Sequence, residues 1–497
     1  MREDRTRLIG WRRATVAAIV ATTAVVAVLA AMAVPAPRPA SATSTVLVDA
    51  ADPTPDAGGC GTTTNPCDTI QTGIHQARAG DTVAVAPGTY AERLVLDKPL
   101  ALLGARAGTD ARGRTGEESV VTAPYGTLLT LRLGAAGASV DGFTFRGGYQ
   151  AVAATGGPLD GLSIVGNRVE GPLLGTIRLM GGGTDVTLAR NVIESGTSFA
   201  EGIALGADPY DGFWLVDNEL RGAPGSTTSG FLTDGDRNVG PSATRSPRIE
   251  GNVVSGWTLG MDLGRASVDM GVVAENVLGP NAWAGLQGGP RGTRITGNTF
   301  RDNGWAGLAL TGYGGADDPD RGAQDNTVEH NTFTGNGMLL SGPALYVSDD
   351  QYPGTVSTNR ISRNDVAGNA RGAVYEGAET VELECNWWGA PDGPSGAGPG
   401  SGDPVVGASV AVAPWLSEPF AAGEPCPAPA APTARSDCLE EGWTRYTALA
   451  FRNQGDCVSF VATGGRNGPV AAPEPARGGP GARAASGLAT GVAATLR

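Results

Sequence analysis

LSIVGNRVEG (162–171), VTLARNVIES (186–195), FWLVDNELRG (213–222), PRIEGNVVSG (247–256), TRITGNTFRD (293–302), NTVEHNTFTG (326–335), NRISRNDVAG (359–368) and VELECNWWGA (381–390) are variations on one theme, with the shorter VVAENVLG (272–279) between the fourth and fifth. Each places one asparagine after alternating apolar residues: Asn167, Asn191, Asn218, Asn252, Asn276, Asn298, Asn331, Asn364 and Asn386. Successive gaps of 24, 27, 34, 24, 22, 33, 33 and 22 residues give a unit of 22–24 residues, lengthened by insertions. VDGFTFRGG, with Phe143 in the asparagine slot, adds one unit ahead of the series.

A short apolar-alternating strand, an Asn able to take the left-handed conformation at a sharp bend, and a second short strand describe one coil of a solenoid. A single coil cannot bury its apolar side. Stacked about 4.8 Å apart by strand-to-strand hydrogen bonds, successive coils share one core and align their asparagines. A further apolar pair follows in each coil, such as Ile203 with Leu205, Met261 with Leu263, Leu308 with Leu310, and Leu345 with Val347. These pairs mark a third strand whose intervening residue points outward. A leucine-rich-repeat horseshoe has a similar period, but the flanking residues here are Ile, Val and Phe and no unit has room for a helix, so β-structure is favoured.

The ends fit a solenoid that must cap its core. CDTIQTGIHQARAGDTVAVAPGTYAERLVLDKPLALLG (67–104) reads as a short amphipathic helix, with Asp68 near its N-cap and Ile70, Ile74 and Ala77 facing inward, followed by the first strands. Asn386-Trp387-Trp388-Gly389 and Pro414-Trp415-Leu416 read as a terminal coil closed by aromatics. The expected segments are a signal peptide (1–42), the solenoid (43–416), a Pro/Ala-rich linker (417–436), a small disulfide module (437–465) and a disordered tail (466–497).

Residues 1–42 carry Arg2, Arg5, Arg7, Arg12 and Arg13, an Ala/Val-rich apolar run from Ala14 to Val34, and Ala40-Ser41-Ala42. That order is the plan of a secretory signal, so the protein is expected to be secreted and extracellular. The apolar run is also long enough to span a bilayer as an uncleaved anchor. The whole chain has a net charge of -14, and removing six arginines and two acids with residues 1–42 takes it to -14 - (+4) = -18. Such an acidic protein repels phosphate backbones and anionic lipids, so neither nucleic acid nor a membrane is an expected partner after cleavage, and a monomer is expected. Six cysteines suit an oxidising destination, and sequence proximity pairs Cys60 with Cys67 and Cys438 with Cys457, leaving Cys385 with Cys426. His75 and His330 are the only histidines, which leaves little material for a His-built metal site or a Ser-His triad.

The opening strands, the Gly-Asn repeats and the NWWG end resemble the right-handed parallel β-helix repeat superfamily, the pectate-lyase-like group of carbohydrate-binding proteins and sugar hydrolases, over roughly Val46 to Leu416. The resemblance implies an all-β, single-stranded right-handed parallel β-helix of three sheets, with an N-terminal capping helix and a C-terminal cysteine-bracketed module. It leaves the reaction open, because this fold hosts many chemistries. Gly88-Thr89-Tyr90-Ala91-Glu92 and Gln150-Ala151-Val152-Ala153-Ala154 are similar to two pectin methylesterase motifs, but the aspartates of that family's later motifs are missing.

Insertions at 233–246, 311–324 and 348–357 all follow the third strand and would build one wall of a groove. Outward residues of the adjoining strands are Arg178, Ala204, Leu232, Asp262, Gln287, Ala309, Tyr346 and Tyr375, with Asp234, Arg265, Asp317, Asp318, Asp349 and Tyr352 at the rim. Acids, arginines and aromatics together suit a polysaccharide, and the expected contacts are Arg178, Arg265, Gln287, Tyr346, Asp349 and Tyr375. Asp234 and Asp262 lie one coil apart and two strand positions offset, about 8 Å, within the range of an inverting carboxylate pair. As a catalytic pair they imply a glycoside hydrolase; a lyase would instead use Arg178 or Arg265 to neutralise a uronate and Tyr346 or Tyr375 as base. The same acids also read as solvated turn residues or as calcium ligands, so calcium is the one cofactor considered. Trp257, Trp283 and Trp305 precede successive third strands and read either as a structural stack or as a sugar platform. The expected function is binding, and by extension cleavage, of extracellular polysaccharide. The alternative is a non-catalytic cell-surface or adhesion protein that only binds glycan.

Overall fold

The computed structural model describes residues 44–52, 59–206, 208–233, 244–264, 268–312, 322–349, 354–377, 379–420, 431–432, 435–439, 443, 446, 449 and 451–467. Residues 1–42, and the tail from 468 onward, lie outside the described residues. Three parallel sheets of 14, 11 and 13 strands dominate. Each coil contributes one strand to each sheet, as Arg294–Thr296, Thr299–Arg301 and Ala306–Thr311 do in turn. Parallel strands joined this way wind right-handed. Like residues stack in register, so Ile249, Val273, Ile295 and Val328 of the first sheet form one buried file. A short fourth sheet of four two-residue strands, from Gly183–Thr184 to Val268–Asp269, lies on the return to the first sheet.

The asparagine ladder is continuous from Asn167 to Asn386. Asn298 shows its logic: its Oδ1 accepts from the backbone N–H and Nδ2 of Asn276 at 3.0 and 2.9 Å, and its Nδ2 donates to Val273 O at 2.8 Å. Its own N–H then donates to Asn331 Oδ1 at 2.9 Å. The left-handed residue at the bend is the one before each asparagine, not the asparagine itself. Arg190, Asp217, Glu275, His330, Arg363 and Cys385 take φ of 53–61° there, and glycine fills the slot at 166, 251 and 297. Two further ladders border other bends: Asn281, Asn303, Asn336 and Asn369 end on the Asp403 carboxylate, and Thr293, Asn326 and Asn359 form a shorter one. Buried backbone groups at the bends find partners in these amides, which is what a coil without helix needs.

The cap is the helix Ile70–Gln76, with Thr69, the neighbour of Asp68, as N-cap; Thr69 Oγ1 accepts from Thr72 N–H at 3.1 Å. Glu92 of the GTYAE stretch accepts from the N–H groups of Ile70 and Gln71 at 2.7 and 3.0 Å, so that motif serves the cap. Lys98 closes the other end by donating to the carbonyls of Ile74 and Ala77 at 2.9 and 3.0 Å. Trp388 is fully buried in the last coil, and Leu416 N–H donates to Asn386 O at 3.1 Å.

Cys60–Cys67 and Cys438–Cys457 are disulfides. Cys385 is also disulfide-bonded, and its expected partner Cys426 lies outside the described residues. Around Cys438–Cys457 a separate cluster of Tyr446, Phe451 and Phe460 packs beneath the helix Gln454–Ala462. So small a core depends on its cross-link, worth about 3 kcal/mol for a loop of this size. Cys438→Ser is therefore expected to abolish the protection of Gln454–Ala462 in hydrogen exchange while the coils keep theirs.

Candidate functional site

Along the third sheet, strand register aligns Arg178, Ala204, Leu232, Asp262, Gln287, Ala309 and Tyr346 in one file. The flanking Ile203, Met261, Leu286, Leu308 and Leu345 are buried in the core, so the file points outward, although its small members Ala204 and Ala309 are themselves buried. The strands Ser229–Thr233, Ala306–Thr311 and Pro343–Ser348 lead into the three long insertions, which therefore share one bend. Asp234, Arg265, Asp317, Asp318 and Tyr352 lie outside the described residues, so the Asp234–Asp262 separation carries no measurement.

Two expected contacts sit elsewhere. Tyr375 pairs with Val347, belongs to the core and is 7% exposed; Val374 continues the outward file. The cause is local: only Ala370 separates Asn369 from the strand Arg371–Glu376, where Gly304 and Trp305 separate Asn303 from Ala306–Thr311. One missing bend residue shifts the alternation by one. Burial, and after it the Asp349 carboxylate, push the Tyr375 phenol above its ordinary value. Asp349 is itself buried and accepts from Gly354 N–H at 2.7 Å, so it anchors the end of an insertion.

The remaining residues form a surface with defined chemistry. Trp283 and Trp305 stack with centroids 4.6 Å apart, and Trp305 meets the Tyr346 ring at 4.9 Å. Tyr346 donates its hydroxyl hydrogen to Glu376 Oε2 at 2.6 Å, a partner that sequence reasoning missed. Trp257, by contrast, is fully buried, with its Nε1 donating to Leu220 O at 3.2 Å. Trp283 follows the backbone of Thr258, not of Trp257, so a one-residue offset sends Trp257 into the core and its two successors to the surface. Three coils before Tyr346 in the same file, Asp262 accepts from Gly264 N–H at 3.0 Å and pairs in register with Gln287. Arg178 lies 3.6 Å from Glu201. Among the described residues no three metal-ligating side chains converge, so calcium has no described ligand set. A cavity of about 870 Å³ opens between 357–363 and 379–385 of the first sheet, lined by Arg360, Arg363, Glu379 and Glu382; the outward file does not line it.

A family model described as a protein of unknown function (DUF1565) matches residues 56–289. No curated protein matches the sequence. Among solved structures, the chain is similar to a mannuronan C-5 epimerase A-module of Azotobacter vinelandii, with 14% identity, 70% of this chain and 93% of that one covered, and a TM-score of 0.44. It is also similar to an alginate lyase from a Paenibacillus species, with 15% identity, coverage of 74% and 100%, and a TM-score of 0.35. The catalytic domain of a GH87 α-1,3-glucanase shares 11% identity over 76% of this chain and 68% of that one, with a TM-score of 0.43. At this similarity the likenesses carry no argument about chemistry. With its stacked parallel sheets and asparagine ladder, the chain has the right-handed parallel β-helix fold that its sequence resembles.

Proposed function

We propose that this protein binds polysaccharide across the outer face of its third sheet. The observation that carries the reading is the stack of Trp283, Trp305 and Tyr346 on the sheet whose outward file also presents Gln287 and Asp262, two and three coils before Tyr346. Aromatic faces receive the C–H faces of sugar rings, while the carboxylate and amide take hydroxyl groups. Cleavage, by a hydrolase or a lyase, is the extension of this reading, and in the hydrolase case it falls to Asp262 with Asp234. One observation favours the non-catalytic alternative, a surface or adhesion protein: among the described residues of the outward file, Asp262 is the only carboxylate.

The test is a panel of neutral and anionic glycans, with and without calcium, read for binding, for new reducing ends and for the ultraviolet absorbance of an unsaturated product. Asp262→Ala combined with Tyr346→Ala is expected to weaken the best ligand at least about tenfold while changing stability by less than about 1 kcal/mol, since both side chains are partly exposed. Unchanged affinity in that variant would remove the assignment.

A further inference from the structure

The bend joining the second sheet to the third recurs in eleven successive coils, at 91–93, 124–126, 148–149, 171–174, 195–200, 222–228, 256–258, 279–283, 302–305, 335–342 and 367–370. In a chain that is 17% charged, these bends hold three charged residues: Glu92, which is taken up by the capping helix, Arg93 and Asp302. They also hold Tyr125, Tyr149, Leu174, Phe199, Trp283 and Leu339, each at least 39% exposed. Backbone hydrogen bonds stack the bends on one another: Leu174 N–H donates to Tyr149 O, Thr258 to Thr228, Trp283 to Thr258 and Trp305 to Trp283. The exposed apolar groups thus form one edge parallel to the stacking direction. From Tyr125 to Leu339 it crosses eight coil steps, roughly 38 Å at the spacing of β-strands.

An exposed apolar surface of this extent marks a binding face, and three properties identify the occupant. The edge is linear and repeats with the coil, which fits a regular polymer better than the irregular face of a folded protein. Its one bend cation, Arg93, lies at one end against Gly126, and in a chain of net charge -14 the bends from 148 onward hold no cation to offset the repulsion of a polyanion. The same net charge opposes a second copy of the chain at long range. Between the apolar positions the edge carries hydroxyls, those of Thr228 and Thr258, which donate to backbone carbonyls and keep lone pairs to accept from a sugar.

We infer that the ligand is a neutral, water-insoluble polysaccharide whose sugar rings expose apolar faces in rows, and that it lies along this edge well beyond the tryptophan stack. The inference rests on the polysaccharide-binding reading above and names its class of ligand.

The test is depletion of the full chain onto particles of cellulose, chitin and an insoluble β-1,3-glucan, alongside soluble polygalacturonate and alginate. The wild type is expected to bind at least one neutral particle and to keep that affinity at about 1 M NaCl, where interactions between exposed charges are screened. Tyr125→Ser/Leu174→Ser/Phe199→Ser is expected to lower particle affinity about tenfold, yet leave soluble oligosaccharides of the same linkage bound as by wild type. Phe199→Ser alone, at a side chain 70% exposed, carries the test should the triple variant fail to fold. Full particle binding by a folded edge variant overturns the inference. So does wild-type binding to anionic glycans alone, or a wild-type dimer that the edge variant makes monomeric. If Trp305→Ala loses glycan while the edge variant does not, the site stands and only the edge falls; if wild type binds no glycan of either kind, the polysaccharide reading itself falls.

Discussion

Asn298→Ala is expected to destabilise the coils by about 3–5 kcal/mol, measured as a drop in the thermal unfolding midpoint and as new hydrogen exchange on both sides of the ladder. Each buried amide bond contributes only about 1 kcal/mol when made, but an orphaned buried partner costs about 1–3 kcal/mol. Removing this side chain orphans several groups together: the Asn276 N–H and Nδ2 lose their acceptor, and Val273 O and Asn331 Oδ1 each lose a donor. All of these residues are fully or almost fully buried, so water does not readily substitute. Asn298→Asp is expected to be at least as harmful, because it replaces the two donors with a buried charge.

Trp305→Ala is expected to lose glycan affinity by about 2 kcal/mol, roughly thirtyfold, with little loss of stability. Trp305 is the middle ring of the stack, so its removal deletes one surface and also releases Trp283 and Tyr346 from their partner at 4.6 and 4.9 Å. Trp257→Ala should behave in the opposite way, destabilising the coils by about 3–5 kcal/mol through the cavity it leaves, without a specific effect on ligand. Isothermal titration of the two variants beside calorimetric unfolding distinguishes the roles.

The coils were legible because their asparagines repeat at one place in a short apolar theme. The other ladders carried a signal too: Asn281, Asn303, Asn336 and Asn369 each stand five residues after a member of the first ladder, and Thr293, Asn326 and Asn359 five before one. That spacing is one short strand plus a bend, and the stronger periodicity of the first ladder masks it. The left-handed slot was misplaced because Asn tolerates that conformation well, yet here its side chain must stay in the ladder while the preceding residue makes the bend.

Side-chain direction in the last coil was less legible. Tyr375 resembles Tyr346 in residue type and in lying near the end of its strand, but one residue absent from a bend inverts it, and no propensity registers that loss. The same parity separates Trp257 from Trp283. Glu376 was overlooked because a carboxylate at the end of a strand looks like a solvated terminus until Tyr346 of the preceding coil is placed beside it. The GTYAE stretch shows the reverse: residues that resemble a motif are spent on capping a helix.

Hydroxyl-radical footprinting of the full chain, with and without a saturating amount of its tightest-binding glycan, tests the central claim most directly. The account predicts protection of Trp283, Trp305 and Tyr346, extending to Tyr125 and Phe199 when the glycan is an insoluble neutral one. Protection confined to the outer faces of the first or second sheet, with these side chains oxidised as fast as in the free protein, would contradict it.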